Sequence, residues 1–362
     1  MKSIRLTALS CALLLALSAA GCVTKAGDAS SAPSAVSSGG GEASSSLPEE
    51  STTQSTAPTG DLNIFTGLYD LEKGADNRPA AFMINNLPKA RPQFGLDQAD
   101  LFFEAETEGG ITRIMAVFAS VSKVPSQLGS IRSARTPFVK LAQSLDAVYI
   151  HHGGSIEGKA MIKDFKLNDV DGLIYEGSTL WRDPEYRKTK GAEHSVMISG
   201  EKLADRISKL KYRTTSDRTA PYAYSDNQAG SPATDVQVYI SRFQQVNFQY
   251  DAEKKLYFKY NGADRSDPHK SAEGVQISAS NVILMYDRFY QETEQTPVTY
   301  TFDLEKGRGV LCSGGVTRNL SWERGPDGLR FKEADGSALK VAPGKTYVCL
   351  INQNNEGKST IS

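Results

Sequence analysis

The stretch from Val23 to Gly60 contains almost no side chain that could seed a core. Its body, GDASSAPSAVSSGGGEASSSLPEESTTQSTAPTG from residue 27 to 60, is built of Ser, Thr, Gly, Pro and a few charges. Fixing a residue costs roughly 1–2 kcal/mol of backbone entropy, and this segment buries nothing to offset it, so it is expected to be a tether. Everything that folds must then be encoded after about Asp61. The chain has 362 residues, and the part beyond the tether is long enough for about two domains. Lys and Arg number 41 against 42 Asp and Glu, a net charge of -1. That balance lacks the basic footprint of phosphate-backbone binding, so no nucleic-acid partner is expected.

Ahead of the tether, MKSIRLTALSCALLLALSAAGC has the order of an export signal. Lys2 and Arg5 come first, an apolar run from Leu6 to Leu17 comes next, and small residues precede Cys22. The run is too short to span a bilayer, and no later stretch is long enough to do so. Ala19-Ala20-Gly21-Cys22, with Leu17 just upstream, resembles the lipobox of bacterial lipoproteins, in which the cysteine is acylated and becomes the mature N-terminus. An ordinary secretory signal cut nearby is the other reading. The resemblance implies residues 1–22 as signal, Cys22 as lipid attachment point and residues 23–60 as tether. The folded body would then stand on the extracytoplasmic face of the cell membrane, held by more than one acyl chain, since one chain anchors only marginally.

After Asp61, short apolar runs alternate with helical patterns. RPAAFMIN (78–85), ADLFFEAE (99–106), ITRIMAVFAS (111–120) and DAVYIH (146–151) are expected as strands. TPFVKLAQSL (136–145), GKAMIKDF (158–165) and GEKLADRISKL (200–210) are expected as helices, the first capped by Thr136 with Pro137 next, the last capped by Ser199. The fold class expected for residues 61–220 is α/β, a mixed sheet with flanking helices. From residue 232 to 362 the pattern is strands alone: VQVYI, VNFQYD, KLYFKY, SNVILMYD, VTYTFD, GVLCSG and TYVCLI, with turns at Asn261-Gly262 and Asp335-Gly336. A β-rich C-terminal domain is expected there. Cys11 leaves with the signal and Cys22 takes lipid, which leaves Cys312 and Cys349. Outside the cytoplasm these two can form a disulfide, or remain as two buried thiols.

NRPAAFMINN, GGITRIMAVF, GSIRSAR and VYIHHGGS resemble the N-terminal domain of the YerB-like family of bacterial lipoproteins. SWERG and VAPGKTYVCLI resemble the C-terminal domain of the same family, so the likeness covers nearly all of the chain after the tether. It implies an envelope address and a two-domain organisation. It implies no reaction, because the family is one of unknown function.

The chain has only four histidines, and two of them stand side by side in VYIHHGGS (148–155). The spacing from Gly153 to Gly158-Lys159 imitates a phosphate-binding loop, but Ala160 stands where a magnesium-binding hydroxyl is needed. Neighbouring strand residues face opposite ways, so His151 and His152 share an ion only if the chain leaves strand geometry; His194 and a carboxylate would have to complete a zinc site. No HxxxH, HxH or CxxC spacing supports one, and neither metal nor cofactor is expected. Ser155 lacks the closing glycine of a nucleophile elbow. One histidine packed at the core edge and one bonded to backbone is the structural alternative.

GSIRSARTP (129–137) places Arg132 and Arg135 just before a helix start, where cations are disfavoured by ~0.3–1 kcal/mol each. An anion is therefore expected near them. It is either internal, with Glu104, Glu106 and Glu108 of the hairpin FFEAETEGGITRI facing Arg113 and its neighbours across a Gly109-Gly110 turn, or a bound phosphate or carboxylate. In the second case His151, His152, Gly153 and Gly154 form one wall of a shallow anion site and Arg132 and Arg135 the other. The order strand, GSIRSART, helix, VYIHHGG is also similar to a short stretch of the LytR-CpsA-Psr glycopolymer transferases. That family has an aspartate where Ser133 stands, which removes its magnesium ligand. The balance favours a non-catalytic binding or accessory factor of the cell envelope, with an envelope protein or anionic glycopolymer as partner, over a phosphate-linked glycopolymer transferase or hydrolase.

Overall fold

The computed structural model describes residues 59–293 and 298–362; the signal, Cys22 and nearly all of the tether lie outside them. Described residues from both segments pack as one compact unit. Its first part contains strands β1 (Ala80–Asn85), β2 (Leu101–Glu106) and β3 (Thr112–Phe118), helix α1 (Thr136–Ser144), strand β4 (Val148–His151), helix α2 (Ile156–Asp164), strand β5 (Asp169–Asp171), and helices α3 (Gly172–Tyr175) and α4 (Gly200–Leu210). The second part contributes β6 (Asp235–Ser241), β7 (Gln244–Asp251), β8 (Leu256–Asn261), β9 (Asn281–Asp287), β10 (Lys306–Ser313), β11 (Val316–Gly325), β12 (Gly328–Lys332) and β13 (Thr346–Asn352).

The apolar runs are nearly continuous because the main sheet is covered on both faces. Along β1, Ala80, Phe82 and Ile84 enter one core while Ala81 and Met83 enter the other. The same two-residue period sorts Phe102 from Phe103, and Val282 and Leu284 from Ile283 and Met285. One face is roofed by α1 through Phe138, Val139, Leu141 and Ala142. The other is covered by Leu203 and Ile207 of α4 and by Val236, Val238, Val246 and Phe248 of a second sheet. Each such side chain contributes ~1.5–3 kcal/mol when fully buried, so the double covering holds the layers together.

The fold is an N-terminal mixed sheet with a few helices leading into a sheet-rich C-terminal region, and the two regions share a sheet. Its strand order is Ser231–Pro232, β11, β10, β9, β13, β2, β3, β1, β4, β5, with β12 paired to β11. The junction is parallel: Leu101 to Ala105 of β2 lie beside Thr346 to Leu350 of β13, whose other edge pairs in parallel with β9. The second sheet runs Asp267–Pro268, β8, β7, β6, Thr360–Ile361.

Three local expectations need correction. Arg135, in extended conformation, is the N-cap of α1, and Thr136 and Pro137 already lie in its first turn. Helix α2 starts at Ile156, because the Ser155 hydroxyl accepts from the Gly158 N–H and fixes the start there. Ser199 does cap α4, accepting from the Lys202 N–H. The third correction concerns Cys312 and Cys349, which are buried free thiols. Cys312 pairs with Val282 and Cys349 with Leu284, so all of β9 stands between them. Two strand spacings amount to roughly 9–10 Å, beyond the ~7 Å reach of a disulfide.

Candidate functional site

The hairpin β2–β3 turns through Gly109 and Gly110, both with positive φ (63° and 85°), a conformation that a side chain would strain. That turn aims Glu108 back at the arginines. The carboxylate accepts from Arg135 Nε at 2.9 Å and Nη2 at 2.8 Å, a two-pronged contact, and also from Arg113 Nη2. Arg113 Nη1 donates to the Ser133 carbonyl and Arg135 Nη1 to the Ala134 carbonyl at 2.8 Å. Arg113 is 3% exposed and Arg135 7%. Burial opposes ionisation of Glu108, but the two guanidinium groups outweigh it and hold the carboxyl below its usual range. Burial, reinforced by the like charge of Arg135, pushes Arg113 down to about 10. Two cations thus share one anion.

Of the three carboxylates expected to face these arginines, Glu108 meets them and Glu104 and Glu106 do not. Glu106 pairs with Thr112, one register position short of Arg113, and Arg113 lies across from Ala105. Glu106 is instead desolvated near Arg242, and burial raises its pKa to about 7. Glu104 points into a different network.

The two loops expected to form opposite walls do adjoin, because their backbones zip together. The His152 N–H donates to the Arg132 carbonyl, the Ala134 N–H to the Gly153 carbonyl and the Ser155 N–H to the Ala134 carbonyl. Gly153 donates its own N–H to Asp171 Oδ1 at 2.7 Å. These amides are therefore spent inside the protein and do not point at a ligand. His151 is likewise engaged at both nitrogens, Nδ1 with the Gly153 carbonyl at 2.8 Å and Nε2 with Asp169 Oδ2 at 3.0 Å. His152 Nε2 lies 2.9 Å from Glu176 Oε2. Arg132 Nη2 donates to Glu193 Oε2 at 2.9 Å, and the other oxygen of that carboxylate is 3.4 Å from His194 Nε2. His194 is buried against Asn85, 2.8 Å from Nδ1 to Asn85 Nδ2, and desolvation keeps its pKa below the ordinary imidazole value. The histidines hold loops together, with Gly154 between them and the start of α2. The donor wall expected from VYIHHGG is closed by its own hydrogen bonds.

A second cluster escapes sequence reasoning. Glu104 and Lys259 are both fully buried, 3.5 Å apart from Oε2 to Nζ. Tyr347 donates to Glu104 Oε2 at 2.6 Å, while Asn86 Nδ2 and the Thr112 hydroxyl donate to Oε1 at 2.8 Å each. Lys259 Nζ lies 3.0 Å from His269 Nδ1, and His269 Nε2 lies 3.0 Å from Gln93 Oε1. Lys259 has no acceptor role, so Nδ1 accepts and Nε2 donates. Burial, and then the Lys259 charge, push His269 well below the usual imidazole range, which fits this neutral form. The chain Gln93, His269, Lys259, Glu104, Tyr347 crosses from one sequence segment to the other. One signal for it is present in KLYFKY: the two-residue period that buries Tyr257 also buries Lys259. Nothing in the sequence around His269 marks its partner.

Residues 65–213 match the family described as "Protein of unknown function (DUF3048) N-terminal domain", and residues 235–348 match its C-terminal domain. This chain belongs to the DUF3048 family. A Bacillus subtilis (strain 168) protein named "Putative lipoprotein YerB" is 30% identical over 295 residues, 79% of this chain and 85% of that relative. The crystal structure of YerB protein from Bacillus subtilis superposes with a TM-score of 0.72 at 26% identity, covering 83% of this chain and 99% of that one. The YerB-like resemblance read from NRPAAFMINN and VAPGKTYVCLI is thereby confirmed. Among the described residues, no helix is long and apolar enough to cross a membrane.

Proposed function

We propose that this DUF3048 protein is a lipid-anchored, extracytoplasmic binding factor of the cell envelope that holds an anionic component without transforming it. The Ala19-Ala20-Gly21-Cys22 motif and the relative named as a lipoprotein support the anchor. The anionic ligand rests on one observation: two buried guanidinium groups, Arg113 and Arg135, share the single carboxylate of Glu108. Within the trio Arg113, Arg135 and Glu108 this is one positive charge in excess, with the carboxylates of Asp169 and Asp171 on the adjoining strand β5 engaged by His151. Arg132 adds to it at the rim, where its partner Glu193 is 59% exposed at the side chain and can swing away. The transferase reading fares worse. Glu108 already fixes the guanidinium groups that would have to track charge developing on a phosphoryl group, and Ser133 supplies no metal-binding carboxylate.

The test uses the full chain carrying Cys22→Ser, titrated with poly(glycerol phosphate) at two salt concentrations. Binding that weakens with salt is expected, since rim charges are screened. Arg132→Ala should weaken it by about 1 kcal/mol, the lower range of a charge-assisted bond because the side chain is partly exposed. Absence of binding at low salt, or an unchanged affinity in Arg132→Ala, overturns the reading.

A further inference from the structure

A cleft of about 450 Å³ opens where the two sequence segments meet. Pro88, Arg91 and Pro92 form one wall, and residues from Asn261 and from 267–274 form the other. The walls are tied by backbone: Gln93 bridges to Ser271, and the Ala272 N–H donates to the Gln93 carbonyl at 2.8 Å. Behind the cleft, His269 is locked between Gln93 and Lys259.

Three polar groups at this cleft lack partners among the described residues. Arg91 is oriented by Asn86, with Nη2 donating to the Asn86 carbonyl at 2.8 Å and Nε and Nη2 both reaching its Oδ1, and this leaves Nη1 without an acceptor. The Ser271 hydroxyl is buried with no hydrogen bond, in a residue only 2% exposed. Asn261 donates its amide to Asp267 Oδ2 at 3.1 Å, while its own Oδ1 is buried and unpaired. An unmet buried polar group is expensive and rare in native proteins. Two of them beside a half-used guanidinium on one cleft form a set waiting for a ligand.

We infer that this cleft is a binding site for an acidic sugar, a saccharide unit bearing a carboxylate. The charges on the cleft are Arg91 and Lys270 against Asp267, a net positive charge that selects an anion over a neutral sugar or a zwitterion. The carboxylate would accept from Arg91 Nη1. Asn261 Oδ1 and the Ser271 hydroxyl are covered in the free protein, so ring hydroxyls would bond them as the cleft opens around the ligand, and the C–H face of the ring would lie on Pro88, Pro92 and Pro268. The volume is of the size that small-molecule sites occupy. This site is separate from the arginine rim at Arg132.

The experiment measures thermal shift and equilibrium binding of the full chain carrying Cys22→Ser with glucuronate, using glucose and acetate as controls. Glucuronate should raise Tm and bind at least about fivefold more tightly than either control, a factor worth ~1 kcal/mol. Ser271→Ala removes an unpaired buried hydroxyl, so the free protein should be at least as stable as the parent while glucuronate affinity falls about fivefold or more. Lys270→Ala, at an exposed side chain, should weaken glucuronate and leave glucose unchanged. Arg132→Ala should bind glucuronate as the parent does. Equal responses to glucuronate and glucose, no response, or parental affinity in Ser271→Ala would each overturn the assignment, the last two meaning that water alone satisfies the cleft. Poly(glycerol phosphate) binding without glucuronate binding would sink this site and leave the proposed function standing.

Discussion

Glu108 carries more of the arginine cluster than either arginine does. Replacing it by Gln leaves two buried guanidinium groups facing each other without an anion, whereas Arg135→Gln leaves the neutral pair Arg113–Glu108. Glu108→Gln should therefore cost ~3–5 kcal/mol in urea unfolding, and Arg135→Gln clearly less. Equal costs would show that the three groups do not act as one charge cluster. Glu106 behaves in the opposite sense. Its folded pKa is raised by burial to about 7, so between pH 4.5 and 7 the native state holds a proton that the unfolded chain has released. Stability should fall as pH rises through that window, and Glu106→Gln should raise Tm at pH 8 yet change nothing near pH 4. At this scale the sequence identifies Arg113, Arg132 and Arg135 as needing an anion. It does not identify which glutamate answers, because a shift of one register position moves Glu106 away from Arg113 and the Gly109-Gly110 turn brings Glu108 in.

The elements themselves are the most legible level. Short, nearly continuous apolar runs mark β1 to β4, and the capping serine fixes the start of α4, since both signals are local to the chain. Which strand lies beside which is not local. Cys312 and Cys349 both sit in apolar strands suited to a disulfide, yet β9 enters between β10 and β13 and separates them. Burial pushes the Cys312 thiol up to about 12 and the Cys349 thiol well above its ordinary value, so neither becomes an effective nucleophile in the folded state. Both should react with a thiol reagent after unfolding without reductant, and neither should react before it. Recovery of a Cys312–Cys349 crosslinked peptide would refute this arrangement.

For the molecule as a whole, the two family segments are units of sequence more than units of folding. β2 uses one edge on β3 and the other on β13, and the buried Glu104 depends on Lys259 and Tyr347 from the second segment. A fragment of residues 61–220 would expose the free edge of β2 together with Phe102 and Phe103. It should appear aggregated or non-cooperative by size exclusion and thermal melting, while the intact chain melts as one. A soluble, cooperative fragment would mean that the shared sheet is dispensable. Charge and composition foretell neither this dependence nor the Lys259 network, because the pairing of β2 with β13 and the contacts of Glu104 with Lys259 and Tyr347 join distant parts of the chain.

The position of β13 in the middle of the main sheet has a consequence for how the protein is made. The central strand is supplied by Thr346–Asn352, far beyond β2 in the chain, so the sheet cannot close around its core until those residues have been synthesised. A chain interrupted anywhere before Thr346 would lack its middle and not merely an edge. A chain cut before Thr346 should therefore stay open to proteolysis and one that reaches Asn352 should resist it, which limited proteolysis of the two lengths checks.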